Sequence, residues 1–375
     1  MQKRVESLIS VSFMALAMLL GLSGCGSSLS SVSPQTGALG NTVDSLAQAE
    51  IQAGVPGMTV ALAKHGTILY AQGYGVTNLS TKQATDPKIL FEIGSITKQF
   101  TAALIMKLQE QGRLQLDDSV TKYMSAYSFP TAITIRMLLT HTSGLADFTN
   151  FPDFGQWVRN GISEQAALTE IAQAGLQFQP GTKWAYSNSN YYLLGSVIEG
   201  LTGQSYADNL NQSIFQPLAL QNTYYVVPPA NLSATGYTNN GAGLVPARVW
   251  DRSAAFAAGA LSTNIDDLAR WDRALTQHTL LSEDEMKPAI TPVKVADGSV
   301  QEPDGAPAAY GFGWFLNPYQ SHPRMWHYGE TVGFRTTIQR FVADKLTIIV
   351  LCNRDDVVPA NLALKVADLF LSQRR

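Results

Sequence analysis

Residues 91–113 read FEIGSITKQFTAALIMKLQEQGR. The stretch is predicted to form a buried helix with a serine in its first turn and a lysine one turn later. Ser95 and Lys98 are three positions apart, so they share one helix face. Ser95 follows Gly94, at the end where unpaired backbone N–H groups and the helix dipole favour negative charge. An alkoxide forming there would be stabilised. Beyond Lys98 the same face runs through Ala102 and Ile105 before it reaches Gln109. A solvated face would carry charges or amides sooner, so Lys98 is predicted to point inward. A lysine starts near pKa 10.4, burial lowers it by several units, and running it neutral at pH 7 costs roughly 4–5 kcal/mol. A buried, partly neutral lysine beside a serine hydroxyl is a general base beside a nucleophile. The same residues also fit a plain helix cap with a snorkelling lysine, and Ser-x-x-Lys alone does not separate the two.

The chain has 375 residues, 45% of them hydrophobic and 15% charged, a balance that suits a globular core. The net charge is −3 with no basic run, which argues against nucleic acid as a partner. The five histidines show no metal-ligand spacing and the two cysteines, Cys25 and Cys352, form no cluster. No metal and no cofactor are therefore expected. Cys352 ends the apolar run LTIIVLC and reads as a small core residue.

Residues 1–24 read as a secretory signal: Lys3 and Arg4, then about fifteen mostly apolar residues, a run shorter than the ~20 that span a bilayer. The run ends in Leu22-Ser23-Gly24-Cys25, which resembles the bacterial lipobox. That resemblance implies cleavage before Cys25, lipidation of its sulfur, and a protein anchored to the outer face of the cytoplasmic membrane or to the cell surface. Residues 25–41 are Ser/Gly-rich and read as a tether of about 22 Å root-mean-square span. Residues 42–375 would then be the folded domain.

Within that domain, 42–53 is predicted as a helix, and 58–63 and 67–74 as strands around a His65-Gly66 hairpin turn. A mostly helical stretch follows from about 114 to 281. Its helices are expected at 133–140, 163–174, 190–201 and 266–276, the last opening on a Thr263-x-x-Asp266 cap. Strands are expected at 310–316, 334–341 and 346–352, with a closing helix at 360–371. Strands at both ends and helices between imply an α/β chain of the α+β type. One antiparallel sheet is built from the two termini and flanked by helices, with a large helical insertion.

Two further stretches complete a reacting site. In PGTKWAYSN (180–188), Tyr186 and Asn188 are two apart and face one side on extended backbone. Tyr186 would shuttle a proton and Asn188 would hold a substrate carbonyl; both also suit plain packing and capping. In WHYGE (326–330), Gly329 permits close approach to a strand. The backbone N–H of Glu330, with that of Ser95, would form an oxyanion hole. His327 would bond the Tyr186–Lys98 pair or the substrate, or be structural. There is no Gly-x-Ser-x-Gly elbow, so the α/β-hydrolase route is unsupported.

Ser-x-x-Lys, Tyr-x-Asn and (Lys/His)-x-Gly in this order resemble the serine β-lactamase and penicillin-binding superfamily. FEIGSITKQFTA (91–102), LLTHTSGL (138–145), PGTKWAYSNSNYYLLG (180–195), AAGALSTNIDDLARW (257–271) and YGFGW (310–314) resemble its class C β-lactamase, DD-carboxypeptidase, D-aminopeptidase and esterase branch. The likeness runs from about residue 43 to 370. It implies a β-lactamase/transpeptidase-like fold and an acyl-enzyme on Ser95. Lys98 and Tyr186 would share the base and acid roles, and Asn188 would contact substrate. His327 and Gly329 would lie on the strand flanking the cleft, and His141 would be a structural landmark. One departure matters: His327-Tyr328-Gly329 stands where β-lactamases usually carry a lysine and a hydroxyl residue. A neutral histidine offers a substrate carboxylate less, and Glu330 adds a nearby negative charge. The expected substrates are therefore D-amino-acid peptides of the cell wall or small esters. β-Lactam hydrolysis is the alternative, and a non-catalytic penicillin-binding sensor of the cell wall is another.

Overall fold

A computed structural model describes residues 37–225, 227–296, 300–302, 305–306 and 308–371. The leader, Cys25 and most of the tether lie outside them. Six strands make one antiparallel sheet: β1 (Gly57–Lys64), β2 (Thr67–Gly75), β3 (Phe315–Leu316), β4 (Arg324–Thr331), β5 (Phe334–Phe341) and β6 (Leu346–Cys352). Their order is β2-β1-β6-β5-β4-β3, so strands from the two ends of the chain meet at β1 and β6. Met58 lies opposite Cys352, and Lys64 opposite Leu346. This is the sheet the strand-like termini implied.

Six helices carry the argument: α1 (Ala38–Gln52), α2 (Thr97–Glu110), α3 (Asn188–Thr202), α4 (Arg252–Gly259), α5 (Ile265–Thr276) and α6 (Pro359–Asp368). The run LTIIVLC is buried at every position, and apolar at all but Thr347, because β6 is covered on both faces. Ile348 and Val350 join Val60 and Leu62 in a core with Val43 and Ala47 of α1 and Leu362 and Val366 of α6. Ile349 and Leu351 alternate to the other core, which holds Phe100 of α2 and Leu268 and Trp271 of α5. Phe100 stacks on Trp271 at 4.3 Å between ring centroids.

Helix α2 runs through the middle of this second core, and 11 of its 14 residues are buried. Its polar residues survive there because each finds a partner. Thr97 Oγ1 accepts from the Leu261 N–H, Gln99 Oε1 from Trp271 Nε1, and Thr101 Oγ1 donates to the Ala257 carbonyl. The expectation that Lys98 points inward agrees with its complete burial.

Three local expectations differ from the structure. Ser95 is not in the α-helix but in a 3₁₀ turn, Gly94–Ile96, that leads into it. Residues 310–316 are a tight turn rather than a strand, with only Phe315–Leu316 extended. Gly313 sits at φ +76°, and a Cβ there would lie 3.0 Å from the Lys98 carbonyl carbon and oxygen. The glycines of YGFGW thus bend an aromatic run against α2. Finally, α5 is capped by Asn264, whose side chain accepts from the Asp267 N–H at 3.0 Å, not by Thr263. Strand β4 itself, RMWHYGET, carries too irregular a polar pattern for period-2 reading.

A buried ion pair fastens α5 to the sheet. Arg340 Nε donates to Asp272 Oδ1 at 2.6 Å, Thr347 Oγ1 donates to the same oxygen at 2.8 Å, and Arg340 Nη2 donates to Thr276 Oγ1 at 3.0 Å. Removing the carboxylate leaves the guanidinium buried without its countercharge. Asp272→Ala should cost about 3–5 kcal/mol in urea unfolding; a parent-like unfolding curve would refute the role of the pair.

Candidate active site

The site starts where the short strand Phe91–Glu92 ends. Gly94 takes φ +48°, and a Cβ there would fall 2.5 Å from the Glu330 amide nitrogen. Gly329 answers from β4: a Cβ on it would lie 1.9 Å from the Ile93 carbonyl oxygen and 2.2 Å from Thr336 Oγ1. Two bare glycines therefore let the Ser95 turn close on β4. This sets the Ser95 turn beside the backbone amide of Glu330. The Glu330 carboxylate turns away and accepts from Arg335 Nη2 at 2.7 Å.

Lys98 rises from the first turn of α2. Its Nζ reaches Ser95 Oγ at 3.0 Å, Asn188 Oδ1 at 2.7 Å and the Ala258 carbonyl at 2.8 Å. The carbonyl is free because it lies at the end of α4, where the last turn leaves acceptors unpaired. Burial pulls the Lys98 pKa down to about 7, against the attraction of Asp147, which raises it. The three partners suit both charge states. As an ammonium, Lys98 donates to all three. As a neutral amine, its two N–H bonds go to the two carbonyl-type oxygens, which can only accept. Its lone pair then faces the Ser95 hydroxyl, which donates to it.

The Tyr186 hydroxyl is buried beside Ser95. Burial pushes its pKa well above the usual phenol value, with Tyr328 adding to the rise and Ser95 opposing it. No well-formed hydrogen bond from a described residue reaches that hydroxyl. The segment bearing it is stitched to His141: the Ala185 N–H donates to the His141 carbonyl at 3.0 Å, and the Ser187 N–H to its Nδ1 at 3.2 Å.

His141 also begins a directed chain. With Nδ1 accepting, its Nε2–H donates to the Tyr310 hydroxyl at 3.3 Å, and Tyr310 donates to His327 Nε2 at 3.1 Å. His327 Nδ1–H donates to the Tyr328 carbonyl at 2.6 Å. Both imidazoles are fully buried, and burial with the nearby Lys98 pushes their pKa values down, that of His327 to about 3. His327, expected to meet substrate or the Tyr186–Lys98 pair, instead spends both ring nitrogens inside the protein and stays neutral.

Asn188 is the first residue of α3. Its Oδ1 holds Lys98, and its Nδ2 donates to both Asp147 oxygens at 3.3 and 3.1 Å. Ser95, Lys98, Tyr186, Asn188, Gly329 and the Glu330 amide are thus brought together. A cavity of about 660 Å³ lined by Asp208, Phe215, Thr223 and Tyr225 contains none of them.

The Beta-lactamase family profile matches residues 41–370. The chain belongs to the Beta-lactamase family. Penicillin-binding protein 4* of Bacillus subtilis is 30% identical over 84% of this chain and 72% of its own length. The protein Flp of Staphylococcus aureus is 28% identical over 83% of this chain, which spans only 62% of Flp. A solved structure of D-amino acid amidase from Ochrobactrum anthropi SV3, in complex with L-phenylalanine amide, superposes with a TM-score of 0.77 at 25% identity. It covers 89% of this chain and 99% of the amidase. This Beta-lactamase family member is a serine hydrolase with the family's mixed fold.

Sequence reading missed Asp147, the relay role of Tyr310 and the Ala258 carbonyl. HTSGL and YGFGW do carry His141 and Tyr310, but nothing in their spacing pairs residues 169 positions apart. Asp147 lies two residues beyond HTSGL and has no periodic signal of its own.

The contact between Lys98 and Ser95 and the lowered Lys98 pKa carry a testable expectation, that loss of the Lys98 proton activates Ser95. Below the Lys98 pKa the neutral fraction falls tenfold per pH unit. Labelling of Ser95 by an uncharged fluorophosphonate should therefore rise about tenfold per unit up to about pH 7 and then level. A profile flat from pH 5 to 8 would refute the assignment.

Proposed function

We propose that this chain is an acyl-hydrolase that forms an acyl-enzyme on Ser95 and acts on amides of D-amino acids, D-amino-acid peptides and small esters. The observation carrying it is the three-partner setting of Lys98. Neutral Lys98 takes the Ser95 proton while Oγ attacks the substrate carbonyl. The backbone N–H groups of Ser95 and Glu330 receive the developing oxyanion. Tyr186 is a neutral phenol near pH 7, so it acts as a relay rather than as the first base. It passes the proton to the departing amine or alkoxide, a new Oγ–acyl bond having replaced the broken one. Water then cleaves the ester on Ser95 and returns the proton along the same groups.

The substrate class follows from charge. His327 provides no cation for a terminal carboxylate, and the fold-wide likeness to a D-amino acid amidase favours amide substrates with a free amine. Acylation by penicillin is a second reading, favoured by the 30% identity to a penicillin-binding protein. Ser95→Ala should abolish turnover of p-nitrophenyl acetate and D-alanine p-nitroanilide while the protein still unfolds cooperatively in urea, with a loss of up to about 1–3 kcal/mol because buried Lys98 gives up one of its three acceptors. Wild-type rates in that variant would overturn the reading. A penicilloyl adduct on the intact wild-type protein, lost in Ser95→Ala, would establish the second.

The proposal includes export and anchoring through lipid on Cys25, supported by the leader and the Leu22-Ser23-Gly24-Cys25 run. Cys25→Ala should shift the protein from the membrane fraction to the soluble one; retention in the membrane would refute the anchor.

A further inference from the structure

Asp147 is built as carefully as the nucleophile, and the chemistry above leaves its charge unused. The backbone on both sides of it is clamped by one residue of α3. Ser189 Oγ donates to the Ala146 carbonyl at 2.6 Å and accepts from the Phe148 N–H at 3.0 Å. Phe148 anchors the following turn by stacking on Trp157 at 5.4 Å. The carboxylate itself accepts from the Asn188 amide and, at 3.1 Å, from the Thr149 N–H. These are neutral donors. They fix its position, and apart from the longer-range attraction of Lys98 no cation among the described residues pairs with its carboxylate. Asp147 is half-buried.

Its charge reaches the groups around Ser95: Lys98, Tyr186 and Tyr328 all register it. Asn188 alone separates it from Lys98. Around it the other candidates for charge are silenced. The two histidines stay neutral, and Glu330 is turned onto Arg335. A site with a fixed anion and a base that is half neutral near pH 7 attracts cations and repels carboxylates.

We propose that Asp147 is a specificity-determining residue that binds the α-ammonium group of the acyl part of the substrate, selecting aminoacyl amides and peptides with a free amino terminus over N-acylated or carboxylate-ended ones. This deepens the acyl-hydrolase reading and rests on it. The ammonium supplies the countercharge that Asp147 lacks. A charge-assisted hydrogen bond of this kind corresponds to about tenfold or more in affinity.

The rival reading is that Asp147 only orients Asn188. Binding to the full-length Ser95→Ala protein, measured by calorimetry at pH 7, separates them without requiring turnover. The ligands are D-alanine amide and its N-acetyl derivative, whose amine is neutralised. The expected result is at least about tenfold tighter binding of the free amine, weakened by added salt and lost when Asp147→Asn is introduced. Asparagine keeps an oxygen for the Thr149 N–H but carries no charge. Equal binding of the two ligands, binding of neither, or an equal weakening of both in Asp147→Asn would overturn the proposal. Ser95-dependent hydrolysis of p-nitrophenyl acetate by the parent protein reports on the acyl-hydrolase reading separately, because that ester carries no amine.

Discussion

The site is arranged around the burial of one amine. Lys98 lies in the first turn of a helix with almost no solvent-facing surface, and that helix is held by both the sheet side and the helical side of the domain. An isolated ammonium there would be prohibitively costly. The protein meets the cost with three oxygens from three different segments: Ser95 before the helix, Asn188 at the start of α3 and Ala258 at the end of α4. Each segment must be in place for the amine to be tolerated. The same burial brings the pKa to about 7, so the packing problem and the base strength have one solution.

A hydroxyl is the one partner of the three that can reverse its hydrogen bond. The two carbonyl-type oxygens cannot, so among these three partners only Ser95 can donate to a neutral Lys98. The constraint extends outward. Asn188 must present its oxygen to Lys98, which leaves its nitrogen to find an acceptor, and Asp147 supplies it. Tyr186 must stand beside Ser95, and its extended segment is held by hydrogen bonds to His141 from the residues on both sides of it. His141 sits at φ +59°, a backbone position uncommon for a histidine, and its backbone carbonyl and ring serve the same segment.

What was legible in the sequence is what lies close together in it. Ser95 and Lys98 are one turn apart, so helical spacing and the apolar face beyond Lys98 were enough to predict an inward amine. Strands β1, β2, β5 and β6 were legible because 334–341 and 346–352 are rich in β-branched and aromatic residues and His65-Gly66 marks a turn. Strand β4 was placed by the family resemblance and not by periodicity, because its glycine and histidine answer to the Ser95 turn and to Tyr310 rather than to a solvent–core alternation. The aromatic run 310–316 looked extended, yet its glycines fold it into a turn against α2. The His141–Tyr310–His327 chain joins a loop, a turn and a strand far apart in sequence, and no local pattern records such a meeting. Asp147 was overlooked for a similar reason: an aspartate after a loop reads as a cap, which it also is.

At the third motif this chain departs from the family pattern, while Ser95, Lys98 and Tyr186 are kept. The positions of Ser95 and Asn188 depend on Lys98. The histidine of β4 depends on something else, the hydrogen bonds to Tyr310 and to the Tyr328 carbonyl that lock it in one tautomer. A lysine at that position would put a second ammonium near Lys98 and depress its pKa further; a neutral imidazole avoids that repulsion. With the strand neutral, Asp147 is the carboxylate linked to Lys98 through Asn188. On the proposed reading, a neutral histidine on β4 and a carboxylate two residues after HTSGL act in the same direction. They would suit the cleft to a substrate's amine rather than to its carboxylate, with the proposed proton path from Ser95 through Lys98 unchanged.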